Sequence, residues 1–516
     1  MAKKLIKTKT ILPRTTNPNT LDGRLRIAFA TRMLPLLLLL TLPAAVQAQF
    51  TYTTNNGTIT ITGYTGSGGD VTIPDTTNGL PITSIGDGAF FNCASLSGVT
   101  IPSSVTNIGQ IAFASCTNLT NVVISSGVKN IGLGALSGCT KLSSITIPGN
   151  VISLGDHTFD GCSGLASVTI SNGVISIGNM AFYSCGSLTN ITLGDSVTNI
   201  GTEAFEFCAS LSTVKIPGSV TSIQSLTFGF CNSLTNVIIG NGVTTIEVNA
   251  FIHSGLVSLT IPDSVTSIGN FAFYYCTNLL NVSLPGSLTS IGVAAFQECT
   301  GLASVNVPGS LTNVGGGLFS YCTSLTSATL PDSFTSIVDG LFDHCISLTK
   351  IIIPSGVTNI GNWPFQNSGL ISITILGNVT SIGDYAFNYC TNLTTVFFEG
   401  NAPTNVGSYV FNGVTNATVY YLPGTTGWGP TFGGRPTMLW NPQAQTSGAS
   451  FGVRTNQFGF NITGSSNLVI VVEACTNLFN PVWQPVQINT LIGGSSYFSD
   501  PQWTNYPGRF YRLRSP

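Results

Sequence analysis

One short phrase recurs along most of this 516-residue chain, and a fixed period of its length leaves few folds open. The first copy runs Ala89-Phe90-Phe91-Asn92-Cys93-Ala94-Ser95-Leu96-Ser97-Gly98-Val99-Thr100-Ile101-Pro102, followed by Val105 and Ile108-Gly109. Its cysteine returns at Cys116, Cys139, Cys162, Cys185, Cys208, Cys231, Cys276, Cys299, Cys322, Cys345 and Cys390, with serine in the equivalent place at Ser254 and Ser368. Most intervals are 23 residues, and the two that follow those serines are 22. Periods of roughly 20–50 residues build solenoids, in which each turn is an incomplete unit that its neighbours complete.

Three sub-phrases make up each repeat. Leu96-x-x-Val99-x-Ile101 reads as a strand with apolar residues inward, Thr100 outward and Pro102 ending it. Val105-x-x-Ile108-Gly109 reads as a second, short extended piece turned by its glycine. Ala112-Phe113-x-x-Cys116 is too short for a stable helix and fits a single helical or 3-10 turn, with Phe and Cys facing inward together. The expected fold is a β-rich leucine-rich repeat solenoid, a short strand plus a short helical or 3-10 turn per repeat, with a small all-β carboxy-terminal domain. Inward side chains stabilise by about 1.5–3 kcal/mol each when fully buried. Only stacking buries them, so an isolated repeat should not fold.

Composition narrows the function. Apolar residues make up 43% and are strictly periodic, which excludes a disordered chain. Charged residues are only 7% and the formal net charge is −2, so no basic field exists for nucleic acid or an acidic membrane. Twelve of the thirteen cysteines occupy one repeat position. Stacked turns would place them about 4.8 Å apart with side chains parallel rather than converging, a geometry for buried free thiols and not for disulfides. Converging zinc ligands are excluded for the same reason.

In chain order, residues 1–48 read as a secretory signal with a long basic region. Eight Lys/Arg precede the apolar run Met33–Leu42, and Val46-x-Ala48 marks cleavage after Ala48. That run is about half the length that spans a bilayer, and no later segment reaches it. The mature chain is therefore expected to be secreted or surface-attached, with no transmembrane segment. Residues 49–85 form an amino-terminal β cap, including a hairpin around Asn55-Asn56-Gly57. Residues 86–421 hold about fourteen repeats and a partial one, 422–447 a Gly/Pro-rich linker or strapped loop, and 448–516 a small β-sandwich-like module.

The phrase Ile-Gly-x-x-Ala-Phe-x-x-Cys-x-x-Leu-x-x-Ile-x-Ile-Pro-x-x-Val-x-x-Ile resembles the BspA-type leucine-rich repeats of bacterial surface proteins, over about residues 86–425. The resemblance implies a right-handed solenoid, export, and adhesion or protein–protein contact. It implies no catalytic residue and no cofactor. Leu136 in place of phenylalanine and Trp363-Pro364 at the alanine step depart from the pattern. The end module, with Arg509-Phe510-Tyr511-Arg512, resembles those that close many secreted proteins of environmental bacteria, and brings no function with it.

A search for chemistry finds little. His157, His253 and His344 fall in distant repeats, Glu203 and Glu206 flank Ala204-Phe205, and Asp339 and Asp343 flank Leu341-Phe342, small acidic spots on the turn edge. One continuous surface is left: the outward residues of the main sheet, Thr100, Val123, Thr146, Thr169, Thr192, Lys215, Ile238, Thr260, Ser283, Asn306, Thr329, Ile352, Thr374 and Phe397. Threonine there is explained by strand propensity. Solvation alone does not require exposed Val123, Ile238, Ile352 and Phe397, which point to contact with a protein or glycan. A structural envelope component without a specific ligand is the second reading, and a solenoid scaffold for a secreted hydrolase the third.

Overall fold

The computed structural model describes residues 49–514, so the proposed signal segment lies outside the described residues. The repeats stack in register to form three parallel columns, each carrying backbone hydrogen bonds from one repeat to the next. The first column is the main sheet, in which Thr213–Ile216 pairs with Asn236–Ile239, Val214 beside Val237 and Lys215 beside Ile238. The second is built from two-residue strands such as Asn107–Ile108 and Asn130–Ile131.

The third column is the Ala-Phe-x-x-Cys segment, and it differs from the expected helical turn. It forms consecutive tight turns, and the only helical element among the described residues is Trp503–Asn505 in the end module. Alternate N–H groups explain the difference. Those of Ile111, Phe113 and Ser115 donate to the carbonyls of Leu133, Ala135 and Ser137 in the next repeat, while Ala114 and Cys116 bond locally to Ile111 and Phe113. A helical turn would keep every N–H within its own repeat and leave this column unlinked.

Stacking at one strand spacing places each side chain on its own counterpart. The core is therefore a set of pure columns. Phenylalanine rings from Phe159 through Phe411 pile nearly parallel, for example Phe182 on Phe205 at 5.2 Å and Phe205 on Phe228 at 5.4 Å. Leu136 interrupts the column between Phe113 and Phe159, and is itself fully buried. Beside the rings, each ladder thiol from Cys116 onward donates to a carbonyl of the preceding repeat, as Cys208 Sγ does to Phe182 O at 3.2 Å. All thirteen cysteines are unbridged, and Cys93 alone is not fully buried. Outside, Thr hydroxyls donate to the preceding repeat's carbonyls, as Thr244 does to Thr221 at 3.0 Å. In-register stacking also accounts for the scarcity of charge, because a repeated ionic residue would sit directly against its like.

Both ends are closed. The antiparallel hairpin Phe50–Asn55 and Thr58–Tyr64 turns at Asn56 and Gly57, both with positive φ, and its second strand starts the second column against Leu80–Ile85. Tyr64 stacks on Phe90 at 5.1 Å and ends the ring column. At the other end, the stretch expected as a linker or strapped loop packs onto the last repeat and caps it. Arg435–Leu439 pairs in parallel with Thr418–Tyr421 and so adds a strand to the main sheet, while Trp428 stacks on Tyr421. Beyond it lie two small antiparallel sheets, one centred on Gln457–Thr463 and one on Val469–Cys475. Asp500, almost fully buried, accepts from Arg509 at 2.6 Å and Tyr511 at 2.8 Å, and Glu473 accepts from Arg512 and Arg514. These pairs give the Arg-Phe-Tyr-Arg phrase a structural task.

The 22-residue repeats interrupt the main sheet. Asn236–Ile239 and Ser258–Thr260 fall in separate hydrogen-bonded sheets, and the strand around Ile352 is reduced to one bridge, to Thr374. Gly255 and Gly369 serve there by close approach. A Cβ on either would collide with the backbone oxygen of Asn232 or Ile346 in the preceding repeat.

Candidate binding face

Eleven of the fourteen outward residues, Val123 through Ile352, are exposed; Thr100 and Thr374 are half-buried. Ile352 is the most exposed of the aliphatic ones at 73%, followed by Ile238 at 55% and Val123 at 44%. Ile238 lines a groove with Thr260, Ser283 and Asp263 where the main sheet is interrupted. Ile352 lines a cleft whose far wall is Glu473 and Arg514 of the end module. Lys215 reaches Asp195 at 3.9 Å, an exposed pair worth about 0–1 kcal/mol.

Phe397 departs from expectation: it points outward but is buried, at 7%. Trp440 crosses it edge-to-face at 5.6 Å, and with Tyr420 it joins one hydrophobic cluster with Phe460, Ile470 and Phe498 of the end module. The end module thus sits on the last strands of this same face. Where the face is covered, its outward residues change from threonine to aromatic.

The histidines do not converge. His157 bonds Asp160 at 3.0 Å, His253 lies between Phe230 and Tyr275, and His344 stacks on Tyr321 at 4.1 Å. At His344 one ring nitrogen meets Asp343 and the other Asn367, while Ser320 Oγ donates to Asp343 rather than to the ring. An activated nucleophile would need that hydroxyl on the imidazole. Among the described residues no cluster of three or more His, Cys, Asp or Glu could hold a metal. The two acidic spots also differ. Asp339 accepts the Asn362 N–H at 2.7 Å, whereas burial, reinforced by Glu203, pushes the Glu206 carboxyl up to about 7.

Sequence reasoning missed the turn edge. The residue just before each ladder position has positive φ, a conformation costing non-glycine residues about 1–2 kcal/mol and tolerated best by Gly and Asn. Early repeats place Asn92, Ser115, Gly138 and Gly161 there, but the central ones place Phe207, Phe230, His253 and Tyr275. These rings stack on one another at 4.8, 4.9 and 4.3 Å, with Phe207 and Tyr275 exposed. The signal was legible as a column: the amino acids before the cysteines, read together, turn aromatic mid-chain.

Comparison with known families supplies the classification. The model of the BspA type leucine rich repeat region matches in three stretches, 83–212, 198–326 and 313–427. The chain belongs to the BspA-type leucine-rich repeat family. A leucine-rich repeat protein of Bacteroides ovatus is similar in structure, with TM-score 0.59 and 28% identity over 76% of this chain and 98% of that one. A leucine rich cell surface protein of Faecalibacterium prausnitzii is 31% identical over 69% of this chain and 94% of its own, with TM-score 0.38. No curated protein matches. The BspA-type assignment covers both 22-residue repeats and stops before the antiparallel end module. Among the described residues no helix is long and apolar enough to cross a membrane.

Proposed function

We propose that this BspA-type protein is exported through its amino-terminal segment, with cleavage after Ala48, and acts at the cell surface by binding a protein or glycan over the outward face of its main sheet. The observation that carries this reading is the burial of Phe397 and Tyr420. The face already serves as a docking surface for the end module, and there it uses large outward side chains in place of threonine. Ile238 and Ile352 are side chains of the same contact-forming kind on the uncovered part. Neither contributes to the core, and solvation alone does not require an apolar side chain at either place. Each would gain about 1 kcal/mol or more on burial in a contact.

Replacing Ile238 and Ile352 together with glutamate tests this. Binding to intact cells of the source, measured by flow cytometry, should be lost while the melting temperature stays unchanged. Val237→Ala and Ile351→Ala, on the buried side of the same strands, should show the reverse order, losing stability first. Undiminished binding by the double glutamate variant would reject the sheet face as the recognition surface.

A further inference from the structure

The turn edge of the central repeats carries a second interaction surface, and its chemistry names the partner. We propose that the strip Phe207, Phe230, His253 and Tyr275, with the carboxylates of Glu203 and Glu206 at one end and Glu298 at the other, docks a polypeptide segment that alternates cationic and aromatic side chains. This surface is independent of the sheet face.

The first argument is conformational. Each of these ring-bearing residues holds positive φ, between +54° and +60°, at a position filled by Asn, Ser or Gly in the first five repeats and by Glu298 and Asn367 among the later ones. The fold therefore does not require rings here. Phe207 and Tyr275 are exposed, Phe230 and His253 half-buried, and none of the four belongs to the hydrophobic core, so their strain is not offset by core burial.

Charge selects the partner. Between residues 86 and 421 the solenoid has four Lys, no Arg, and fourteen Asp/Glu, a net charge of −10. None of the four lysines lies within an Ala-Phe-x-x-Cys segment, whereas Asp160, Glu203, Glu206, Glu298 and Asp343 all lie in or beside one. Glu206 is nearly buried next to Glu203, a like-charge pair with no salt bridge to a cation among the described residues. The whole-chain value of −2 conceals this, because eight of the seventeen basic residues lie in the first 32. Such an edge repels an anionic lipid surface or nucleic acid and attracts Lys and Arg.

Ring geometry excludes a sugar. Glycans stack on exposed aromatic faces, but here the faces lie against one another, with Phe207 and Phe230 at 4.8 Å and 13°. Ring edges face outward, and edges receive the faces of other aromatic rings in T-shaped pairs. Tyr183 already meets Phe207 in that way, at 5.5 Å and 80°. A segment with aromatic faces for the ring edges and cations for Glu203 and Glu206 satisfies both halves of the surface.

The probe is a fluorescein-labelled octapeptide alternating Arg and Trp, titrated with the purified protein and followed by anisotropy. Saturable binding that weakens with added salt is expected, and about tenfold or more weaker binding for an octapeptide alternating Glu and Trp. Phe230→Asn with His253→Asn should weaken binding about tenfold or more while the melting temperature holds or rises, since Asn suits positive φ. Glu203→Gln with Glu206→Gln should weaken it comparably, and this pair decides the matter if the first variant fails to fold. The Ile238→Glu, Ile352→Glu protein should bind the probe like the unaltered chain, which separates this surface from the sheet face. Absence of binding, equal binding of the acidic octapeptide, or full binding by the Gln pair would each overturn the proposal. Saturable binding of chitotetraose lost in the Asn variant would do so as well, by making the occupant a glycan.

Discussion

Phe205→Ala tests the claim that the core is a set of one-dimensional columns. The ring is fully buried, and neighbours at 5.2 and 5.4 Å lie within 5° of parallel on both sides. Truncating a buried phenylalanine costs about 3–5 kcal/mol through lost transfer energy and the cavity left behind. Two stacked pairs vanish together, each worth about 0.5–1.5 kcal/mol beyond area burial, which places the loss near the top of that range. Phe205→Leu retains most of the volume and loses the stacking, for a cost of about 1–2 kcal/mol. Leu136 shows that the column accepts leucine. In a solenoid the loss is felt by the altered repeat and its neighbours, not by the whole chain. The protein supplies its own reporters, because all five tryptophans lie between Trp363 and Trp503. Guanidinium unfolding of Phe205→Ala followed by far-UV circular dichroism should begin early and broaden. Tryptophan fluorescence should keep nearly the unaltered midpoint. Coincident shifts of both probes would refute the nearest-neighbour picture, and a shift below about 1 kcal/mol in either would refute the burial argument.

Three further outcomes follow from the same geometry. Burial raises the ladder thiols, Cys231 to about 12 and Cys276 to about 11, so thiol reagent should modify few groups in the native protein and close to thirteen after denaturation without reductant; about six bridges in the denatured count would contradict the free-thiol ladder. Deleting residues 162–184, one whole 23-residue repeat, should leave a folded, shorter protein, whereas removing eleven residues should break the columns; equal circular dichroism spectra and melting curves for the two would refute in-register stacking. Glu206, with its native value near 7 against an ordinary 4.5, binds its proton more tightly when folded, so its contribution is full below 4.5 and is lost as pH rises through 7. Melting temperature should therefore fall between pH 5 and 8, and Glu206→Gln should flatten that decline; an unchanged slope would show that Glu206 does not titrate as its burial implies.

Much of the fold was legible because a repeated phrase shows each physical requirement many times over. Inward Val, Ile, Leu, Phe and Cys positions stood out by period, and the Asn55-Asn56-Gly57 turn by its own chemistry. The features that escaped are those that depend on a neighbour in space. Phe397 occupies an outward position by register, and only docking of the end module buries it. Residues 422–447 look like a linker because Gly and Pro dominate, yet Arg435–Leu439 finds the open edge left by Thr418–Tyr421. The Ala-Phe-x-x-Cys segment has the spacing of a helical turn, but hydrogen bonding to the next repeat outweighs local preference. At Phe207, Phe230, His253 and Tyr275 propensity argues against the observed backbone, so the edge strip emerges only once φ is known.

The closed ends and the repeat-by-repeat stacking between them give the molecule a unit of length. Each added repeat moves the end module away from the amino-terminal hairpin by one strand spacing, about 4.8 Å, and changes no contact inside either cap. Reach is therefore set by counting. Copies of the same phrase gained or lost during evolution would lengthen or shorten the stack in whole steps, leaving both caps and the docking site at Phe397 as they are. A protein built this way can alter the distance between its two caps without redesigning either of them.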